Sequence, residues 1–221
     1  MNLFPHLTNY YVRHARIYNI SRWTFLFGRK RLLKEISLAY PDPSNILEIG
    51  CGTGYNLLNL AKAYPNASIT GIDLSKEMLE VCNHQIQQNK LSIEIINEPY
   101  SKDRFENKFD LILCSYSLSM MGIHTTEILE AAYHDLKQGG FFTAVDFHRS
   151  KFDFFTRHMK KNHVQMNGTL LEHLEYYFIR LNILFTVTYN LLFQMFHFLD
   201  VFKVNFIENI CSTITVTFFK F

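Results

Sequence analysis

Proline stops at Pro99 and glycine at Gly168, so the final stretch of this 221-residue chain lacks both residues that punctuate tight turns. Cysteine is sparse too. Cys51, Cys82, Cys114 and Cys211 show no C-x-x-C spacing, which excludes a zinc knuckle or a disulfide scaffold and points to reduced thiols in a cytoplasmic protein. The histidines offer no metal site either: His148, His158 and His163 gather near Asp146, but their spacing matches no standard zinc helix. A clean apolar run of about 20 residues is missing. Residues 178–199 come nearest, but Arg180, Asn182, Asn190, Gln194 and His197 interrupt them, so they read as an amphipathic helix lying on a membrane or on a sheet. Near the start, Arg13, His14 and Arg16 break any apolar core, so no signal peptide is expected. Charged residues make up only 19% of the chain against 48% apolar, a balance that excludes disorder and suits one large folded domain.

What is present centres on residues 45–56, NILEIGCGTGYN. Ile46, Leu47 and Ile49 form a short buried strand, Gly50, Gly52 and Gly54 a turn that brings backbone close to a ligand, and residues 55–64 a helix whose first N–H groups face that ligand. A dinucleotide loop has the spacing G-x-G-x-x-G. This one is G-x-G-x-G with Glu48 two residues ahead, and a carboxylate there repels a pyrophosphate. It suits a cofactor with a cationic amino-acid end, such as S-adenosyl-L-methionine. The same triplet also serves a bare strand-to-helix turn. A second apolar strand, 68–73, ends in Asp73, about 20 residues beyond the loop, where an α/β sheet offers a carboxylate to a ribose diol. Asp73 could instead be a second cap for the helix that follows, for which Ser75 is a ready N-cap, but its position at a strand end favours the ribose role.

Strands are predicted at 45–50, 68–73, 92–97, 109–116 and 140–147, and helices at 55–64, 76–89 and 125–137, with Gly139 and Gly140 as the turn before the fifth strand. This alternation implies an α/β fold, a mainly parallel doubly wound sheet whose ligands lie beyond the strand carboxyl ends. Three segments differ in charge. Residues 1–40 carry seven basic side chains against one acid and read as a basic, aromatic helical lid. Residues 41–150, the cofactor-binding core, carry eight against fourteen. Residues 151–221, an insertion on the substrate side and an apolar tail of the same domain, carry seven against five.

The segments LEIGCGTG, GIDLS with Met78, FDLILCSYSLSM and LKQGGFFTAVDF, in that order, resemble class I S-adenosylmethionine-dependent methyltransferases, with Gln138 standing where that family usually has proline. The resemblance implies a Rossmann-like fold. It implies that Glu48, Gly50, Cys51, Gly52 and Gly54 hold the methionine portion of the cofactor, and that Asp73, with Leu74 and Met78 beside it, holds the ribose. Glu98 and Tyr100 would then flank the adenine, and Cys114 and Ser115 close the cofactor floor. The head, with Tyr18, Arg22, Phe27, Gly28 and Arg29, resembles that of bacterial betaine-lipid N-methyltransferases, and less closely that of membrane-quinone methyltransferases. On this resemblance Tyr18 and Arg22 also reach the cofactor.

An amine acceptor needs no strong base in the transfer step but gains from aromatic faces near the developing ammonium. Tyr10, Tyr11, Tyr18 and Tyr116 are candidates for that role, and the Asn162-His163 pair for reaching the substrate. A quinone carbon would need a base, for which His124, His148 and His163 are available. The expected partner is a small-molecule or lipid substrate, with peripheral contact at the inner membrane through head and tail. Nucleic acid is not expected, because Cys114-Ser115-Tyr116-Ser117 replaces the [DN]-P-P-[FY] signature of amino-methylating nucleic-acid enzymes. A cofactor-binding protein without turnover is the remaining reading, motivated by a tail that lacks the glycines expected of a closing strand pair. Within that tail, 212–220 alternates like one strand.

Overall fold

The computed structural model describes residues 28–40, 42–150, 152–187 and 212–219. Their order is α1 (Gly28–Ala39), β1 (Asn45–Ile49), α2 (Tyr55–Ala63), β2 (Ser68–Ile72), α3 (Lys76–Gln88), β3 (Glu94–Ile96), β4 (Phe109–Ser115) and α4 (Leu118–Met121). A 3₁₀ turn (Gly122–His124) leads to α5 (Thr125–Asp135), β5 (Leu136–Arg149), α6 (Asp153–Lys161), α7 (Leu170–Tyr177), β6 (Ile179–Val187) and β7 (Ser212–Phe219). All strands and helices predicted for 45–147 form.

The strands make one seven-stranded sheet in the order β3-β2-β1-β4-β5-β7-β6. β1 to β5 are parallel, and β7 runs antiparallel between β5 and β6. Side chains alternate across β1, so the two faces feed different cores. Ile46 packs with Leu32 and Ile36 of α1, Leu57 and Leu60 of α2 and Leu79 of α3, whereas Leu47 and Ile49 pack with Ile128 and Leu129 of α5 and Leu174 of α7. β4 is buried along almost its whole length, as a central parallel strand with helices on both sides must be.

Two expectations need correction. Ile179–Val187 is a strand, not part of an amphipathic helix, and with β7 it supplies the closing pair that the turn-poor tail did not announce. Ladder pairing decides here. Ile, Phe, Thr and Val dominate both segments, and β5 would otherwise end the sheet on an open edge. Gly139 and Gly140 lie inside β5 rather than before it. Part of the turn survives as a bulge: Phe109 pairs with Leu136 but Leu111 with Phe141, so the glycines absorb extra residues opposite one of β4, with Gly139 at φ 77°.

Candidate active site

The turn after β1 is held by backbone and by its neighbours. Gly50 and Cys51 both donate to the Ile72 carbonyl at the end of β2, at 2.8 and 3.2 Å. The three glycines all have positive φ but do different jobs. A Cβ on Gly50 would lie 2.5 Å from Ser117 Cβ, and one on Gly54 2.4 Å from Cys82 Sγ, so these two glycines admit close packing. A Cβ on Gly52 would meet nothing within 4 Å. The turn therefore presents one open cradle, at Gly52. Gly54→Ala is expected to cost about 2–4 kcal/mol of stability through overpacking and left-handed strain. Denaturant unfolding measures this. Adding Cys82→Ala should restore the packing part only, and an unchanged midpoint in Gly54→Ala would refute the account of that contact.

Glu48 lies beside this cradle on the α1/α2 face. It is 1% exposed, its Oε1 accepts from Asn56 Nδ2 at 2.7 Å, the Leu57 N–H is directed at the carboxylate, and its Oε2 is buried with no hydrogen-bond partner among the described residues. Burial pushes its pKa up to about 8, against the Asn56 bond and the nearby Arg29 charge, which act to lower it. Arg29, in the first turn of α1, also sits 5.5 Å from the centre of the Tyr55 ring at the start of α2. Helix α1 is fixed there because Gly28 N donates to the Tyr116 hydroxyl at 3.0 Å, and a Cβ on Gly28 would lie 2.3 Å from Val145 Cγ2.

Asp73 closes the other side. Its Oδ2 accepts from Gly52 N at 2.7 Å and its Oδ1 from Ser75 N at 2.9 Å, and the Leu74 N–H also acts on the carboxylate. Burial raises its pKa, partly offset by those backbone donors. Asn97 Nδ2 pins the Asp73 and Leu74 carbonyls at 3.0 and 3.1 Å. Ser75 accepts from Met78 N and caps α3, with Met78 buried beneath. The Cys51 thiol, hydrogen-bonded to Cys82 under the loop, has its pKa raised by that bond and by burial.

The structure thus gathers Glu48, Gly50, Cys51, Gly52, Gly54 and Asp73, with Leu74 and Met78 adjoining. Others lie apart. Glu98 is exposed and pairs with Arg104. Tyr100 is buried in the α5-side core and donates to Asp135 Oδ2 at 2.6 Å, its pKa pushed far up by burial and by that carboxylate. Cys114 is also in that core, on the face away from Glu48, its thiol pKa raised by burial. Ser115 is buried with its hydroxyl unpartnered among the described residues. Tyr116 holds φ 56°, a strained value for a bulky residue, with its ring 4.9 Å from that of Phe147. Beside it, Asp146 accepts from Ser119 N and Phe147 N. His163, at φ 61°, sits half-buried in the turn that ends α6. Tyr10, Tyr11, Tyr18 and Arg22 fall outside the described residues. Sequence reasoning missed Asn56 and the placement of Arg29; the first stood two residues past Gly54, and the second was counted only in the head.

A Rossmann-like sheet with an antiparallel seventh strand, and a glycine turn between two acids, define the class: this is the class I S-adenosylmethionine-dependent methyltransferase fold. Residues 46–140 match the family described as "Methyltransferase domain". Malonyl-[acyl-carrier protein] O-methyltransferase of Priestia megaterium is 33% identical over 129 residues, covering 58% of this chain and 46% of that enzyme. Two solved structures superpose well. Phosphoethanolamine N-methyltransferase 2 of Haemonchus contortus with S-adenosyl-L-methionine gives a TM-score of 0.66 at 16% identity, covering 86% of this chain and 52% of that one. Geranyl diphosphate C-methyltransferase of Streptomyces coelicolor with S-adenosyl-L-homocysteine gives 0.69 at 11%, covering 87% and 77%. At these identities the likeness fixes the fold alone. The chain spans less than half the length of the curated relatives it matches, 46%, 30% and 45% of the first three. Among the described residues no helix is long and apolar enough to cross a membrane, and no cluster of three His, Cys, Asp or Glu side chains converges as a metal site would need.

Proposed function

We propose that the chain is an S-adenosylmethionine-dependent methyltransferase that N-methylates the headgroup amine of a lipid. The observation that carries the donor half is the pairing of an open cradle at Gly52 with a buried, unpartnered Glu48 Oε2. That oxygen fits the cofactor's ammonium, Arg29 beside it fits the carboxylate, and Asp73 fits the ribose hydroxyls. When bound, the cofactor supplies an electrophilic methyl on a sulfonium. The chain's own part is alignment and exclusion of water, which account for much of the rate of an in-line displacement. On the acceptor side Tyr116, buried with its ring 4.9 Å from that of Phe147, is the aromatic candidate for the wall toward which a developing ammonium is drawn, and Tyr18 and His163 complete the candidate set. The resemblance of the head to betaine-lipid N-methyltransferases supports an amine acceptor, and its basic charge supports an anionic lipid.

Asp73→Ala should weaken binding of S-adenosylhomocysteine by about 10- to 100-fold, since a charged hydrogen-bond acceptor is lost. Calorimetry reads this directly, and unchanged affinity would remove Asp73 from the site. The acceptor is tested by incubating pure protein with methyl-labelled cofactor and total bacterial lipid. A labelled lipid bearing a methylated amine is the expected product. A labelled quinone, or cofactor binding with no label in any lipid, would refute the lipid-amine reading.

A further inference from the structure

The carboxyl edge of the sheet, where the site lies, bears a surface that the site does not use. Helix α6 follows β5 directly, buries Phe155 and Met159 and leaves Phe154, Arg157, Lys160 and Lys161 exposed. Phe154 is 63% exposed, and Ile123, in the 3₁₀ turn beyond β4 and α4, is 87% exposed. Gln165 N, just past α6, donates to Ser119 O of α4 at 2.8 Å, so the Lys160–Lys161 end of α6 lies near the turn that carries Ile123, with Phe154 at the helix's other end. Over residues 149–169 five basic side chains face one acid. The other exposed large apolar residues among those described, Leu38 and Tyr176, sit near the helix ends that lead back to the amino edge.

We propose that this surface docks on an anionic bilayer and so brings a lipid headgroup to the mouth of the site, an inference that rests on the lipid-amine reading above. Apolar side chains standing among cations match the boundary where acyl chains begin below anionic headgroups. An acidic protein partner would answer the cations but not the protruding Phe154 and Ile123. The test is co-flotation of the full chain with phosphatidylcholine vesicles, with and without phosphatidylglycerol. The chain should bind only the anionic vesicles and release them as salt rises. Lys160→Ala with Lys161→Ala should lower partitioning by about twenty-five-fold, at about fivefold per cation. Phe154→Ser should lower it several-fold, and affinity for S-adenosylhomocysteine should stay constant in all variants. Parent-like binding by these variants, no preference for anionic vesicles, or preferential capture by an acidic carrier protein would each overturn the proposal. Methylation of a soluble headgroup amine without vesicle binding would remove the docking surface and keep the lipid-amine reading. Vesicle binding as described with no lipid methylated would do the reverse.

Discussion

Gly52→Val should leave the chain folded and abolish binding of S-adenosylhomocysteine. The new Cβ meets nothing within 4 Å among the described residues, so the main structural cost is left-handed strain at φ 55°, about 1–3 kcal/mol. The same open space is the cradle proposed for the methionine portion of the cofactor, and branched methyl groups would fill it. Affinity should fall by about a hundredfold or more, the scale expected when a filled cradle excludes its ligand. The contrast with Gly54→Ala is the diagnostic part: there the stability falls, here the binding. Calorimetry with thermal unfolding separates the two, and a folded Gly52→Val variant that still binds would show the turn to be only a turn.

Affinity for S-adenosylhomocysteine should rise with pH up to about 8. Burial holds Glu48 protonated to about that pH in the free chain, whereas a bound ammonium would favour the carboxylate. Binding below pH 8 therefore releases a proton, and affinity gains at most about tenfold per pH unit. Stability of the free chain should run the other way. Between the ordinary 4.5 and about 8 the folded state keeps a proton that the unfolded chain has lost, so stability falls as pH rises through that window. Glu48→Gln should flatten both slopes and weaken binding at pH 8. Titrations in buffers of different ionisation enthalpy count the proton, and wild-type binding without proton release would contradict the role given to Glu48.

The core of the fold was legible because its signals are local. Glycines force the turn at 50–54, apolar runs too short for helices mark β1, β2 and β4, and Ser75 marks the start of α3. The closing strands were not legible, because their pairing is tertiary: Ile179–Val187 has no turn residue before it and reads as readily as a helix. Side-chain direction in loops was equally hidden. Pro99 marks a break after the third strand, which itself stops at Ile96, but only the folded path shows Tyr100 turned toward Asp135 instead of the glycine turn. Arg29 reaches Glu48 only through the docking of α1, which depends on Gly28 fitting against Val145 and Tyr116.

The role of the whole site depends on what the glycine turn binds. The most direct measurement is calorimetric titration of the purified chain with S-adenosylhomocysteine and, in parallel, with NAD. Saturable one-to-one binding of the first and none of the second is the predicted result. Binding of NAD, or of neither, would contradict the assignment of the turn, Glu48 and Asp73 as a methyl-donor site.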